Sequence, residues 1–386
     1  MRTVDHRAHK SLMQRFDEAI RRCFERIIGT SLSNHQWAQA TLPVSMGGVG
    51  LRSALLHSAG AFTSSYCDSS SIIEDIIGKT KPFQDEELLS LINSLAGEQY
   101  SMESIQLASQ KSISHAIDNK FEKEIVHNVE DTRVKARLKA VSMKHAGDWL
   151  NTVPVKALGL HLRPLEFITA IKYHLGVKVY PAAGPCIACT EDSDQFGDHS
   201  VGCAKEGERI YRHNSLRDVL YTTAKQACLS PAKEENSLLP GSDAKPADVF
   251  IPGWVNGRDA AFDVSVSPLQ SQLIQKASEE NGSAASKRFK DKMNKYHTSC
   301  DMEGIQFYPI IVETFGGWHP ESEAQIRNLG DQLASRTGGD TDETCRHLFQ
   351  RLSILLARGN ANLILRRTPD HADPEIDGDL DVDIQP

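Results

Sequence analysis

No apolar run in this 386-residue chain approaches the length of a membrane-crossing helix. Behind the charged N-terminus there is no apolar segment of the kind a secretory signal needs, so none is expected. The eight cysteines do not form a disulfide framework. Five of them, Cys23, Cys67, Cys228, Cys300 and Cys345, are scattered through mostly helical patterns, which suits a reducing, intracellular compartment. The Gly-rich stretch 42–51 lacks the lysine of a P-loop and reads as a turn between helices. No internal repeat is present.

An excess of positive charge is also missing. The formal net charge is −8, which taken alone argues against a nucleic-acid partner. The charge is uneven, however. The segment 368–386 carries Asp370, Asp373, Glu375, Asp377, Asp379, Asp381 and Asp383 with no Lys or Arg, and the rest of the chain is close to neutral. That segment reads as a disordered acidic tail; it lacks the Gly and terminal Glu of an EF-hand loop. Elsewhere Lys287, Arg288, Lys290, Lys292 and Lys295 form a local basic cluster.

Hydrophobic residues make up 40% of the chain, as in ordinary folded proteins of two or three domains. Leu12, Phe16, Ile20 and Phe24 recur every four residues and predict an amphipathic helix over 10–28, stopped by Gly29. Further helices are expected over 53–66, 83–97, 102–117, 134–150 and 164–175, with a Ser-rich break at 69–71. The texture changes at Pro181. Segment 181–203 is rich in Gly, Cys, Asp and Ser; then come a helix over 208–229, strands over 247–251 and 259–266, a helix over 283–300, a strand over 304–314, and helices over 320–335 and 342–365. Between the first two strands, Asn256-Gly257 is a strong hairpin-turn signal. The fold class expected is mixed α+β: a helical N-terminal half, a small zinc knuckle, and a three-layer α/β core. The expected boundaries are 1–66, 67–180, 181–206, 207–367 and 368–386.

Cys186-x2-Cys189-x9-His199-x3-Cys203 carries the strongest structural signal. Thiolate and imidazole ligands suit Zn²⁺, and four of them close a tetrahedral structural site. Gly184, Pro185, Gly197 and Gly202 supply the bends. His213 is a substitute ligand, ten residues beyond Cys203.

Asp248 and Asp263 carry the chemical signal. Two acids on neighbouring strands can hold a Mg²⁺ ion that positions water and balances charge on a phosphate. Along 261–266, Phe262, Val264 and Val266 share one face and Asp263 and Ser265 the other. An acid inside such an apolar strand is costly unless paired or bound to metal. The lysine that commonly follows such an acid by two positions is replaced by Ser265. A lysine from the next helix can substitute. With Phe289, Met293, Tyr296 and Cys300 as its buried face, Lys292 lies about 70° from the centre of that face and Lys295 about 130°. Lys292 is therefore the better placed and Lys295 the alternative. Glu234 or Glu235 can add a third carboxylate or simply face solvent. Arg212 and His213 can contact phosphate or pack the helix, and Glu313 can face the site or solvent. Trp254 and Trp318 read as core or turn anchors.

The knuckle, Arg212-His213-Asn214, Lys245-Pro246-Ala247-Asp248, Asp263 and Lys292/Lys295-Tyr296 occur in this order in restriction-like endonuclease domains that end the polyproteins of early-branching non-LTR retrotransposons, and the chain resembles these. Segment 37–53, with Gly47-Gly-Val-Gly-Leu51, looks like the region after the polymerase in such polyproteins. The resemblance, to the PD-(D/E)XK superfamily more broadly, implies a nuclear, Mg²⁺-dependent endonuclease that nicks target DNA for target-primed reverse transcription. Asp248 and Asp263 would hold the metal, Lys292 or Lys295 would orient water or stabilise the phosphorane, and the knuckle would grip nucleic acid. DNA is the implied partner, with no membrane partner and an element-encoded reverse transcriptase as a further one. Two departures stand out: Ala247 splits the Pro-Asp pair, and no Tyr-x-Asp-Asp polymerase box exists. An inactive nucleic-acid-binding remnant and a zinc-stabilised protein-binding scaffold are the competing readings.

Overall fold

Helices start in this chain where a short polar side chain accepts from unpaired backbone N–H groups. Asp5, Ser33, Ser53, Asp85, Ser101, Ser109, Asp131 and Asp340 all do so. Several helices stop at glycines in the left-handed conformation, among them Gly29, Gly78, Gly97, Gly176 and Gly338. A computed structural model describes residues 2–3, 5–79, 82–205, 207–235, 238–240, 244–269 and 271–368. The expected acidic tail, apart from Thr368, lies outside the described residues.

The fold is mixed α+β. The first half holds α1 (His6–Ile28), α2 (Asn34–Thr41), α3 (Ala54–Ile77), α4 (Glu86–Ala96), α5 (Met102–Leu107), α6 (Gln110–His127), α7 (Thr132–Val141) and α8 (Pro164–Leu175). The knuckle contains strands β1 (Gly184–Pro185) and β2 (Asp192–Ser193) and the short α9 (Asp198–Gly202). Then follow α10 (Glu208–Gln226), β3 (Ala232–Lys233), β4 (Val249–Val255), β5 (Arg258–Ser267), α11 (Ile274–Glu279), α12 (Ser283–Met302), β6 (Gln306–Glu313), α13 (Pro320–Thr337) and α14 (Thr341–Leu365). Among the described residues no helix is long and apolar enough to cross a membrane.

The larger sheet has strand order β3-β4-β5-β6. β4 and β5 pair antiparallel across Asn256-Gly257, both at positive φ, as a two-residue hairpin turn requires. β5 and β6 pair parallel from Ala260↔Gln306 to Ser267↔Glu313, and α12 makes the crossover. One face of the sheet packs Val249, Ile251, Phe262, Val264, Ile310 and Val312 against Leu216, Leu220, Ile326 and Leu352 of α10, α13 and α14. The other packs Ala261 and Phe307 against Tyr296 and Cys300 of α12. The sheet is thus covered by helices on both sides, with α12 over the β5 face that carries Asp263.

Helix α14 ties the chain together. It contributes to the sheet core through Phe349 and Leu352, to the N-terminal core of Phe24, Ile28, Trp149 and Ile171 through Ile354 and Ala357, and to the knuckle through Ile364. The expected boundary at 66/67 falls inside α3. The expected break at 69–71 is helical, and within it Ser69 and Ser70 satisfy their hydroxyls on the carbonyls of Tyr66 and Cys67. The helix expected over 102–117 is two, divided where Ser109 caps α6. The one expected over 134–150 ends at Val141, and His145 at φ 68° turns the chain. Only the second half of the expected stripe on α1 is buried: Phe24 lies in the core and Ile20 is partly buried, whereas Leu12 and Phe16 are 59% and 55% exposed. Polar contacts decide that helix's rotation. Asp17 accepts from Ala54 N–H and the Ser53 hydroxyl, and His6 meets Ser58 at 2.6 Å, so Met13 rather than Leu12 turns inward.

Candidate active site and metal centre

The knuckle draws four ligand atoms together. One atom each from Cys186, Cys189, His199 and Cys203 lies within 4.8 Å of every other, and Cys189 Sγ is 3.2 Å from His199 Nε2. Ligands about 2.3 Å from a shared tetrahedral centre stand about 3.8 Å apart, so the set can hold a metal ion such as zinc. Its two arms are fixed independently. Cys186 N–H donates to Glu191 O across the β1–β2 hairpin, and Thr190 takes the left-handed turn position. Asp194 accepts from the N–H groups of Phe196, Asp198 and His199, which sets the start of α9. Burial opposes ionisation of Cys186, but N–H groups of Ala188 and Cys189, then His199, bring its thiol down to about 6. Cys189 accepts from the Glu191 N–H, yet burial and the neighbouring sulfurs leave it raised to about 11. Three sulfurs this close ionise together only around a cation.

The knuckle is a docked element. Val201 packs with Tyr180 and Ile364, Tyr180 donates to Ile364 O at 2.8 Å, and Arg133 meets Asp198 at 2.6 Å. Arg367, just past α14, is buried beside the cluster. Burial works against its charge, but the sulfurs of Cys203 and Cys186 raise its pKa. The sequence carries no local sign of this partner, 164 positions beyond Cys203.

Asp263 lies in β5 and is 6% exposed. Lys292 reaches it from α12: Nζ donates to Oδ1 at 2.9 Å and lies 2.6 Å from Oδ2. Oδ2 is buried and faces the ammonium without an aligned hydrogen bond. Burial pushes the Asp263 carboxyl up to about 6; Lys292 pulls it down, the Asp248 charge adds to the push, and His213 opposes it. Asp248 lies just ahead of β4 rather than inside it. Its Oδ2 accepts from the N–H of Val264, the residue after Asp263, at 2.7 Å, and its Oδ1 is 3.2 Å from His213 Nε2. Asp248 thus touches the β5 backbone at the residue after Asp263, with His213 of α10 beside Asp248 and Lys292 of α12 beside Asp263. The two carboxylates supply hard oxygens, the ligand type that a divalent cation such as Mg²⁺ takes. Among the described residues only the knuckle gathers three or more Cys, His, Asp or Glu ligand atoms.

Other candidates are placed elsewhere. Lys295 lies over the Tyr296 ring at 4.6 Å and is not paired with Asp263. Arg212 is 1% exposed and donates to Asn360 Oδ1 of α14 at 2.6 Å, so its guanidinium is not presented to a phosphate. Glu234 pairs with Arg217 and is not a third ligand beside the acids, and Glu235 is exposed. Glu313 faces neither site nor solvent. It is buried and accepts from Ala285 N–H at 3.0 Å, capping α12, whose own N-cap is Gly282. Trp254 and Trp318 are core residues.

The positioning of Lys292 follows from a match of repeats. Four residues of helix rise about 6 Å, and two residues of strand about 6.6 Å. Helix α12 runs back along β5, so Ala284, Arg288 and Lys292 meet Ser267, Ser265 and Asp263 in turn, at 3.0, 3.0 and 2.9 Å. The middle pair, Arg288 with Ser265, was not singled out from the sequence. Its signal is Arg288's place four residues before Lys292, one helical turn along the same face.

No protein-family model matches the chain, and neither does any curated protein.

Proposed function

We propose that the chain is a metal-dependent endonuclease related to the restriction-like domains of non-LTR retrotransposons, and that it hydrolyses phosphodiesters of DNA. One observation carries this: a lysine from the crossover helix is held 2.6 Å from a buried strand aspartate beside a second aspartate, two strand positions from the place where a lysine is usual. A structural ion pair alone is a weak reason to bury Asp263, because desolvation offsets much of its attraction.

Asp248 and Asp263 would hold the ion, which when bound supplies Lewis acidity and a water of lowered pKa. Val264 N–H and His213 fix the Asp248 carboxylate. Lys292 holds its proton at Nζ and sets positive charge beside the phosphate as charge builds on its oxygens. A water oxygen bonds to phosphorus, the P–O3′ bond breaks, and the leaving oxygen takes up a proton to give a 3′ hydroxyl. The knuckle, filled with zinc, would brace α14 against α9 and so support the sheet.

Nicking of supercoiled plasmid by the zinc-loaded chain in Mg²⁺ or Mn²⁺ tests the reading. The expected result is cutting that Asp263→Ala abolishes. No cutting in either ion, or equal cutting by Asp263→Ala, overturns it.

A further inference from the structure

Helix α12 brings two cations, not one, onto the polar face of β5. Lys292 meets Asp263, and one turn earlier Arg288 donates its Nε–H to Ser265 Oγ at 3.0 Å. The two differ in what remains free. The Lys292 ammonium is engaged by both carboxylate oxygens and is half-buried. Arg288 is exposed; among the described residues it faces no carboxylate at ion-pair distance, and its contact with Ser265 uses only Nε–H. The outer fork of the guanidinium is left pointing away from a fixed anchor. By contrast Lys287, next to it, is within 3.7 Å of Asp291, and Lys295 is over Tyr296.

We propose that Arg288 is a phosphate-binding residue of the site, gripping the phosphodiester next to the one that is cut. This rests on the nuclease reading. A guanidinium stays charged at any working pH and offers parallel N–H donors that match two phosphate oxygens. Ser265 holds the near side of the group, so less side-chain freedom is lost when phosphate docks. The small hydroxyl at position 265 is then what the arrangement needs. A lysine there would occupy the space into which Arg288 folds and would repel it.

The test measures binding apart from cutting. A fluorescein-labelled duplex is titrated with the full, zinc-loaded chain in Ca²⁺, over a series of salt concentrations. Arg288→Gln is expected to weaken binding about ten- to a hundredfold, as for loss of one charged hydrogen-bonding group, and to reduce the salt slope by about one. Arg288→Lys should restore the slope but only part of the affinity. Lys290→Gln, about 200° around the helix, is the control for diffuse charge and should leave affinity nearly unchanged. Thermal melting checks that each variant is folded. Wild-type affinity and slope in folded Arg288→Gln, or an equal loss in Lys290→Gln, overturns the assignment even if the chain nicks plasmid. If Asp263→Ala nicks normally while Arg288→Gln loses affinity, the catalytic reading falls and the phosphate site stands. A wild-type chain that binds no duplex at low salt overturns both.

Discussion

Lys292 lies 29 positions beyond Asp263, yet its Nζ stands 2.6 Å from Asp263 Oδ2 at the face between α12 and β5. Lys295, one turn further round, shares the Tyr296 ring with Lys292 but makes no ion pair with Asp263. The two lysines should therefore separate in kinetics. Lys292→Ala is expected to lower kcat by on the order of a hundred- to a thousandfold, as for removal of one preorganised charge-stabilising group. Lys295→Ala should change it by less than about threefold, in keeping with an exposed cation–π contact. Single-turnover nicking under saturating protein measures both.

The knuckle should hold one zinc per chain, counted by metal analysis after gel filtration. Cys203→Ser should lose that metal, because three remaining ligands do not close a tetrahedral site. Since the knuckle packs on Ile364 and Tyr180, metal loss should also lower the melting temperature of the whole chain, not only of a local segment. Equal melting curves with and without a strong chelator would show that the ligands carry no such coupling.

Arg212 and Arg288 should behave as opposites. Arg212→Ala empties a buried position against Gly359 and leaves Asn360 Oδ1 without its donor. A loss of about 2–4 kcal/mol in denaturant unfolding is expected. The salt slope of duplex binding by the folded variant should stay that of the wild type. A changed slope would return Arg212 to the nucleic-acid interface.

Acid should destabilise the fold through its buried histidines before ordinary exposed carboxylates are protonated. Burial, and then the Arg137 charge, lowers the His174 pKa to about 4, and burial also lowers His6, His35 and His319. These folded-state values lie below the unfolded value of about 6.5. The unfolded chain therefore binds more protons between the two, and stability is full above about 6.5 and falls as pH drops toward 4. His174 Nε2 is 3.0 Å from Gly47 O, so His174→Gln keeps a donor there while removing the titration. Urea midpoints across this window should fall less steeply in that variant. An unchanged slope would show that His174 does not contribute.

What the sequence determined by itself is local. Asn256-Gly257 specifies its hairpin turn, because few residues tolerate positive φ at both positions. Helix α8 spans 164–175, as Pro164 and Gly176 predict. The four knuckle ligands were legible because metal spacing is a short-range property, and Asp263 because an acid in an apolar strand is costly wherever the strand goes. Lys292 was preferred over Lys295 on helical angle, before any partner was known.

Tertiary packing decided the rest. Leu12 and Phe16, the first half of the α1 stripe read from hydrophobicity, are turned outward where Asp17 and His6 dock on α3 by polar contacts that periodicity does not see. Arg212 is a core residue only because α14 brings Asn360 to it across 148 positions. Arg288 gained its place on Ser265 from the match between helix rise and strand rise, which needs α12 laid antiparallel on β5. That orientation is set by the parallel β5–β6 pairing and by Glu313 capping the helix from beyond its far end. Such contacts join residues whose separation leaves no periodic trace, so only the folded chain can bring them together.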